Sequence, residues 1–268
     1  MTPDQHAPTV RDVADWWATA VSRIEPNVIE LRGRPVQSLI GSTSFAGIIW
    51  LMLRGTTATP AQERLLEAAL VASVDHGPHA PSIAVARIAA TCGVGLNNAV
   101  ATGVNLLGDV HGGAGEQCMT MLAEISAHAG TDLDAAAATV TAEWRARSRY
   151  LPGFGHRFHS VDPRRDPLLT LADRAAADGT VDGHYLRAAR AVERVLAEGR
   201  SHPVPINIDG CTAVLYGELG FPPPLARGLF VLSRSVGILA HAWEETGQGR
   251  RNKGPMPPSI LPTQLGDP

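Results

Sequence analysis

The stretch Gly-Phe-Gly-His-Arg at residues 153–157 places His156 directly behind two glycines, and Asp-Pro-Arg follows at residues 162–164. Glycine lets backbone N–H groups approach a ligand closely, and arginine binds a carboxylate or phosphate through two parallel N–H donors. The pattern therefore predicts a loop that holds a polyanionic small molecule beside an imidazole that handles protons.

Two segments far from this loop in sequence supply further side chains for such a site. His111 lies in Asp-Val-His-Gly-Gly-Ala-Gly, just before a predicted helix. A helix N-terminus disfavours imidazolium, so we expect a neutral His111 that donates a hydrogen bond to a carbonyl becoming an enolate. Asp209 follows apolar residues in Ile-Asn-Ile-Asp-Gly, which favours a raised pKa and general acid or base chemistry. Taken alone, Asp209 also fits a helix N-cap.

Basic side chains are available to bind the carboxylates of a substrate. The candidates for this clamp are Arg164, Arg234 and His76. Arg234 lies in an apolar helical stretch, where the alternative is a side chain that snorkels from the edge of the core to water. The whole set fits proton transfer beside a carbonyl group on a substrate with several carboxylates.

The composition limits the classes of protein to which the chain can belong. The 268 residues are 44% hydrophobic and 18% charged, as in globular proteins with a sizeable core. A net charge of −3 and 5% aromatic residues argue against nucleic-acid binding. Three cysteines without a Cys-x-x-Cys pair predict neither a disulfide framework nor a metal site, and His156 with His159 provides too few zinc or nickel ligands. Without a signal-peptide pattern or an apolar stretch of roughly 20 residues, we expect a cytoplasmic protein without membrane contact.

Hydrophobic periodicity predicts helices over most of the chain. Thr59, Pro60 and Gln62 form a predicted capping box at the start of a helix that ends at Ser73. Residues 28–36 are the only good candidate for a short strand or hairpin. The other predicted helices cover residues 12–24, 44–53, 82–91, 96–107, 115–129, 133–149, 168–177, 185–198, 211–219 and 225–245.

Five segments, in order along the chain, resemble the citrate synthase superfamily, and in particular its short members, citryl-CoA lyase and the C-terminal lyase domain of ATP-citrate lyase. They are Val-Asp-His-Gly-Pro at 74–78, His-Gly-Gly-Ala at 111–114, the stretch 153–164 quoted above, Ile-Asn-Ile-Asp-Gly at 206–210 and the helical segment 232–241. The matches run from about residue 44 to residue 241. They are specific as a set, whereas Asp-His-Gly alone is not.

The resemblance implies a catalytic role for three residues. His111 matches the histidine that hydrogen-bonds the thioester carbonyl and stabilises the enolate. Asp209 matches the carboxylate that moves the proton at the acetyl α-carbon. His156 matches the histidine that bonds the oxaloacetate carbonyl, which is the tertiary hydroxyl of citryl-CoA.

The resemblance also implies binding residues. His76, Arg164 and Arg234 match the set that binds the substrate carboxylates. An arginine near the C-terminus of the other subunit completes that set in the family, and Arg251 is the candidate here, with Arg250 as the alternative. The residues at the coenzyme A side are Leu151, Gly153, Phe154, Gly155 and Arg157.

The implied reaction is cleavage of citryl-CoA to acetyl-CoA and oxaloacetate, with coenzyme A present as the acyl thioester. The short chain and the Asp-His-Gly-Pro segment favour this lyase branch. The alternative is a citrate or 2-methylcitrate synthase that runs the condensation, because His111 is retained where the ATP-citrate lyase domain has an aromatic residue. A further alternative is a non-catalytic paralogue that binds coenzyme A or citrate, against which the intact His111, His156 and Asp209 argue.

The implied fold is all-α, with the site in a cleft between two domains that close on the ligand. The large domain comprises residues 1–131 and 204–268. The small domain, residues 132–203, carries the loop at the coenzyme A side. A homodimer is expected through the small-residue helices within residues 82–107.

Overall fold

The structure is a computed structural model that describes residues 10–128, 132–148, 150–202, 204–257 and 259–265. Helices predominate within these residues, and the sheet found there has three short strands, so the predicted all-α class is confirmed. The chain divides into two compact units, Met1–Arg64 and Leu65–Pro268. The predicted large and small domains stay a prediction, and two residues at their borders, 131 and 203, lie outside the described residues.

The first unit contains a small antiparallel sheet and short helices. Its elements are α1 (Val10–Trp16), β1 (Ser22–Glu25), β2 (Val28–Leu31), β3 (Arg34–Pro35), α2 (Val36–Leu39) and α3 (Phe45–Arg54). β1 pairs with β2 so that Glu25 lies opposite Val28, and β2 pairs with β3 so that Leu31 lies opposite Arg34. The hairpin predicted at residues 28–36 is confirmed.

The helix predicted over residues 12–24 is wrong beyond Trp16, because turn residues impose a strand pair there. Pro26 and Asn27 connect β1 to β2, and Asn27 has the positive φ, 64°, that the second central residue of a type II turn requires. Arg32 and Gly33 connect β2 to β3 with φ angles of 51° and 74°, as in a type I′ turn. This local turn chemistry overrides the helical spacing of the apolar residues.

The helix predicted over residues 44–53 is confirmed as α3. Ser44 caps its N-terminus, since the Ser44 hydroxyl accepts a hydrogen bond from the Gly47 N–H at 3.0 Å. Gly55, with φ 73°, ends it in the left-handed conformation. Ile49, Trp50 and Leu51 on this helix are buried.

The second unit consists of helices that pack against one another. α4 (Pro60–Ser73) begins in the first unit, and it is followed by α5 (Pro81–Ala90), α6 (Leu96–Val104), α7 (Ala114–His128), α8 (Leu133–Arg147), α9 (Arg165–Ala177), α10 (His184–Ala197), α11 (Ile208–Glu218) and α12 (Pro223–Gly247). α11 packs against α7, α9, α10 and α12, while α12 also packs against α5, α6 and α7. The helices predicted here are confirmed, and the ends that the structure describes differ from the prediction by at most three residues. The ends predicted at residues 129 and 149 lie outside the described residues.

The capping box predicted at the start of α4 is confirmed. The Thr59 N–H donates to Gln62 Oε1 at 2.9 Å, and the Gln62 N–H donates to Thr59 Oγ1 at 3.3 Å. The helix then runs with Leu65, Leu66 and Ala69 buried to Ser73, where the Asp-His-Gly segment begins. The cap therefore sets the start of the helix that delivers His76.

Among the described helices, α12 alone is long and apolar enough to cross a membrane by length and composition. In the structure 44% of its apolar 18-residue window is buried inside the protein. Ile238 and Ala242 of this helix pack with Ile83, Ala86 and Ala99 in one buried apolar cluster. This packing is that of a core helix.

Loops at helix ends carry most of the predicted site residues. The loop 74–80 follows α4, the loop 105–113 precedes α7, and the loop 150–164 precedes α9. α11 is buried along nearly its whole length, which places its N-terminus and Asp209 inside the second unit. Arg234 lies in the middle of α12.

Candidate functional site

Arg234 is the centre of the predicted cluster. It is only 5% exposed, its Nε donates to the Ser73 carbonyl at 3.1 Å, and its guanidinium lies 4.8 Å from the Phe230 ring centroid. The snorkelling alternative for Arg234 is therefore wrong, because the charged end is buried. Within the described residues no hydrogen bond involves Nη1 or Nη2 of Arg234, and a buried guanidinium with such donors is suited to bind a carboxylate.

The charge of Arg234 affects the pKa values of three other predicted residues. Burial lowers the pKa of His111, and Arg234 lowers it further. Burial also lowers the pKa of His76, with Arg164, Arg234 and His156 adding to the effect. Arg234 and Arg164 both favour the charged form of Asp209. The structure thus brings His76, His111, His156, Arg164, Asp209 and Arg234 into one electrostatic cluster.

His111 is held in one neutral tautomer by α5. Its Nε2 accepts a hydrogen bond from the Ser82 backbone N–H at 3.2 Å and lies 2.9 Å from the Ser82 hydroxyl oxygen. A backbone N–H can only donate, so Nε2 carries no proton and Nδ1 carries it. The low pKa of His111 agrees with this assignment. His111 is therefore a neutral Nδ1–H donor.

His156 is fixed in the opposite tautomer by its own turn. Its Nδ1 accepts from the backbone N–H groups of Phe158 at 3.1 Å and His159 at 3.2 Å. The proton therefore lies on Nε2. Burial lowers the pKa of His156; Asp162 opposes this shift, whereas His159 and Arg164 add to it. The His76 ring lies edge-on to His156, with 5.5 Å between the ring centroids.

Asp209 is the second residue of α11 and does not cap it. The cap is Asn207, whose Oδ1 accepts from the N–H groups of Asp209 at 2.9 Å and Gly210 at 3.3 Å. The N-cap alternative for Asp209 is therefore wrong, and its carboxyl group is left for another use. Burial raises the pKa of Asp209, although Arg234 and Arg164 oppose the shift. A carboxyl group with a raised pKa is suited to proton transfer near neutral pH.

Asp162 orients Arg164 and joins it to α11. Its Oδ1 accepts from the Arg164 N–H at 3.0 Å and from Nε at 2.9 Å, and its Oδ2 accepts from Arg164 Nη2 at 2.8 Å and from the Ile208 N–H at 3.2 Å. Burial alone would raise the pKa of Asp162, but these donors lower it to about 2. A single buried carboxylate therefore holds the loop arginine against the first turn of the helix that carries Asp209.

The two glycines of the 153–157 stretch allow the loop to fit against α11. Gly153 and Gly155 have φ angles of 81° and 77°. A Cβ on Gly153 would overlap the Cys118 sulfur and lie 2.9 Å from Gly210 Cα. The Asn207 N–H donates to the Gly153 carbonyl at 2.9 Å, and Asn207 Nδ2 donates to the Gly155 carbonyl at 2.7 Å.

The remaining predicted residues lie outside the electrostatic cluster. Leu151 and Phe154 are buried, and their side chains pack within the protein. Arg157 and Arg251 are exposed. No hydrogen bond or ion pair joins either arginine to the cluster within the part of the chain that the structure describes. Their roles toward coenzyme A and a neighbouring subunit stay predictions.

Sequence reasoning missed three residues that set the geometry of the site: Ser82, Asp162 and Asn207. Asp162 carried a local signal, because an aspartate two residues before an arginine across Asp-Pro-Arg can fold back onto it. Asn207 carried the signal of an N-cap residue. Ser82 carried no local signal, since its partner His111 is 29 residues away.

No group of three histidine, cysteine, aspartate or glutamate side chains that could hold a metal ion occurs among the described residues. Cys118 and Cys211 are buried free thiols, and burial raises the pKa of both. The site offers the neutral histidine donors, the carboxyl group of Asp209 and the two arginines.

Comparison with known proteins gives the family. A family model described as the citrate synthase C-terminal domain matches residues 18–256. A citrate synthase of Deinococcus radiodurans is 30% identical over 221 residues, which cover 81% of this chain and 56% of that protein. The chain thus spans about half the length of the curated citrate synthases that it matches.

Solved structures extend the comparison, and one of them is of similar length to this chain. The citryl-CoA lyase of Hydrogenobacter thermophilus is 30% identical, with a TM-score of 0.81 over 94% of this chain and 95% of that chain. The ATP citrate lyase of Methanothrix soehngenii, solved with citrate and coenzyme A, is 20% identical and shares the fold, with a TM-score of 0.78 over 46% of its chain. The resemblance drawn from the five motifs is confirmed: the chain belongs to the citrate synthase family.

Proposed function

We propose that this protein is an enzyme that cleaves citryl-CoA to acetyl-CoA and oxaloacetate through an enolate. The observation that carries the proposal is the pair of neutral histidines with fixed and opposite tautomers, His111 with Nδ1–H and His156 with Nε2–H, in one cluster with Asp209. Such a pair supplies one hydrogen-bond donor to each of the two oxygens that change in this reaction. The match to a citryl-CoA lyase over nearly the full length of both chains supports the lyase direction.

In the proposed cleavage the tertiary hydroxyl, whose oxygen accepts from His156 Nε2–H, loses its proton to solvent water, and solvent later returns a proton to Asp209. The bond between the carbinol carbon and the thioester α-carbon breaks, a carbonyl group forms on oxaloacetate, and the electron pair stays on acetyl-CoA as an enolate. The enolate oxygen accepts from His111 Nδ1–H, and Asp209 donates its proton to the α-carbon.

Two features support a substrate with several carboxylates. Arg164 and Arg234 are held in place by Asp162 and by the Ser73 carbonyl, so the positions of their guanidinium groups are fixed before an anion binds. Burial and both arginines lower the pKa of His76, which favours the neutral ring and its single N–H donor beside them. Coenzyme A is proposed as the thioester part of the substrate, and the known structure of an ATP citrate lyase with coenzyme A is in line with this.

The second candidate is a citrate or 2-methylcitrate synthase. The observation that favours it is the set of curated relatives, which are named citrate synthase and, in Bacillus subtilis, citrate/2-methylcitrate synthase. Since a site stabilises the same transition state in both directions, the residues present serve condensation equally well. The homodimer through α5 and α6 and the cytoplasmic location stay predictions.

A two-way assay separates the candidates. Citryl-CoA is supplied and oxaloacetate release is followed by a coupled NADH reaction; then acetyl-CoA and oxaloacetate are supplied and free thiol is followed. Oxaloacetate release without thiol in the second mixture is the expected result. Thiol release in the second mixture would overturn a lyase-only function in favour of a synthase. No turnover in either mixture, with coenzyme A bound, would favour a non-catalytic paralogue.

Asp209→Asn tests the proton-transfer role within the same assay. The substitution keeps the size of the side chain and removes its proton chemistry, so turnover should fall by about a thousandfold. The control is Asp173→Asn, which breaks an exposed ion pair with Arg190 and should leave turnover unchanged. Retention of more than roughly a tenth of the activity by Asp209→Asn would contradict the assigned role.

A further inference from the structure

A row of paired charged and polar side chains runs from the C-terminal segment to the loop that carries His76, and the proposed chemistry does not use it. It begins at Glu245, whose side chain is fully buried. Lys253 Nζ donates to both Glu245 oxygens at 3.0 and 2.8 Å, and Arg87 Nη2 lies 2.6 Å from Glu245 Oε2. Because a buried carboxylate needs paired cations, Glu245 holds Arg87 in one orientation.

Arg87 in turn fixes the tautomer of His241. Arg87 Nη1 lies 3.0 Å from His241 Nδ1, and a guanidinium can only donate, so Nδ1 is the acceptor. The proton of the neutral ring is then on Nε2, which lies 3.3 Å from Asp75 Oδ1. His241 therefore links the paired arginine to Asp75 through one acceptor and one donor.

Asp75 is the last member of the row and lies next to His76. Its Oδ2 accepts from the Gly77 N–H at 3.0 Å, which closes a turn around His76. α12 approaches this turn without an intervening side chain, because a Cβ on Gly237 would overlap the Val74 carbonyl oxygen and lie 3.0 Å from Asp75 Oδ1. The orientation of the turn thus depends on where His241 holds the Asp75 carboxylate.

We propose that His241 is a positioning residue, which acts through Asp75 to orient His76 in the carboxylate-binding cluster. The proposal rests on the proposed function, in which His76 binds a substrate carboxylate. It differs from a merely structural role in what it predicts: loss of His241 should weaken substrate binding more than it slows turnover, because His76 touches the substrate carboxylate and none of the reacting atoms.

The kinetic test compares two substitutions of the full chain. His241→Leu removes both the acceptor and the donor, whereas His241→Gln keeps an amide oxygen for Arg87 and an amide N–H for Asp75. We expect His241→Leu to raise KM for citryl-CoA about tenfold, with kcat within about threefold of the wild type. His241→Gln should restore KM to within about threefold. The control Arg190→Gln, which breaks an exposed ion pair elsewhere, should change neither constant.

Two kinetic outcomes would overturn the proposal. One is an equal rise in KM for the leucine and glutamine variants, which would show that the donor and acceptor do not matter. The other is a lower thermal midpoint for His241→Leu with an unchanged KM, which would reduce His241 to a stabilising residue.

A test without turnover separates this proposal from the proposed function. Long-range ¹H–¹⁵N spectra of the ¹⁵N-labelled wild-type protein should show the His241 proton on Nε2, and the His76 ring signals should shift in His241→Leu but not in Arg190→Gln. A His241 proton on Nδ1, or unshifted His76 signals, would overturn the positioning role. If the wild type turned over neither substrate mixture, the proposed function would fail while these spectra still decided the role of His241.

Discussion

His111 and His156 are both neutral, but the backbone N–H groups that hold their rings come from different parts of the chain. The Ser82 N–H at the start of α5, far away in sequence, holds Nε2 of His111. The N–H groups of Phe158 and His159, within the same turn, hold Nδ1 of His156. The His111 ring is therefore fixed by helix packing, whereas the His156 ring keeps its tautomer wherever its loop moves.

Gly153→Ala should break the His156 side of this comparison and has the largest expected effect. Alanine at this position would have to adopt a left-handed φ, and its Cβ would overlap Cys118. The loop must therefore move away from Gly210. We expect turnover to fall by more than about a hundredfold, because a displacement of about 1 Å costs that much. Nuclear magnetic resonance should show the His111 tautomer unchanged.

Gly155→Ala is the matched control for this substitution. It has a similar φ, but its Cβ would meet only Val204 Cγ1 at 3.4 Å, an ordinary contact. Its cost should be limited to backbone strain of about 1 kcal/mol. If the two variants lost turnover equally, close packing of the loop against Cys118 would not be what places His156.

Ser82→Ala tests the anchor of His111 and should have a smaller effect. The substitution removes the hydroxyl near Nε2 but keeps the backbone N–H, so the tautomer should persist and turnover should fall about fivefold. Steady-state kinetics and ¹⁵N spectra measure the two results, with Ser38→Ala, an exposed serine of the first unit, as the control. A His111 proton that moved to Nε2 in Ser82→Ala would show that the hydroxyl, not the backbone, sets the tautomer.

The effect of Asp162 is on stability rather than on turnover, and it disappears in acid. Its pKa is lowered from 3.8 to about 2 in the folded protein, so its contribution is present above pH 4 and is lost as the pH falls toward 2. The contribution amounts to about 2 kcal/mol of unfolding free energy. Urea unfolding should show a gap between the wild type and Asp162→Asn at pH 6 that narrows toward pH 3. A gap independent of pH would refute the assignment.

Much of the fold was predictable because local signals agreed with the packing. The capping box of Thr59 and Gln62 and the Ser44 cap lie where the sequence predicts helix starts. The motifs also named the six clustered residues; five of them lie in loops or at helix ends, beside glycines and caps, and Arg234 lies within α12. In these places the propensity of a few neighbouring residues and the final structure require the same conformation.

The predictions that were wrong failed where two sequence signals favoured different local structures. Apolar spacing over residues 12–24 favoured a helix, but Pro26 and Asn27 close a hairpin that ends it. Asn207 and Asp209 are both good caps, and only the backbone path decides which one is used. The contacts of Ser82 with His111 and of His241 with Asp75 each join a helix to a loop that is distant in sequence, and no local pattern specifies them.

The bonds of Asn207 have a consequence for local unfolding. This one residue caps α11 through Oδ1, holds the Gly155 carbonyl through Nδ2 and holds the Gly153 carbonyl through its own N–H. The first turn of α11 therefore cannot fray unless the 153–155 loop is released with it. The two segments should therefore open and close as a single cooperative unit. The amide hydrogens of the loop should exchange as slowly as those of the buried helix.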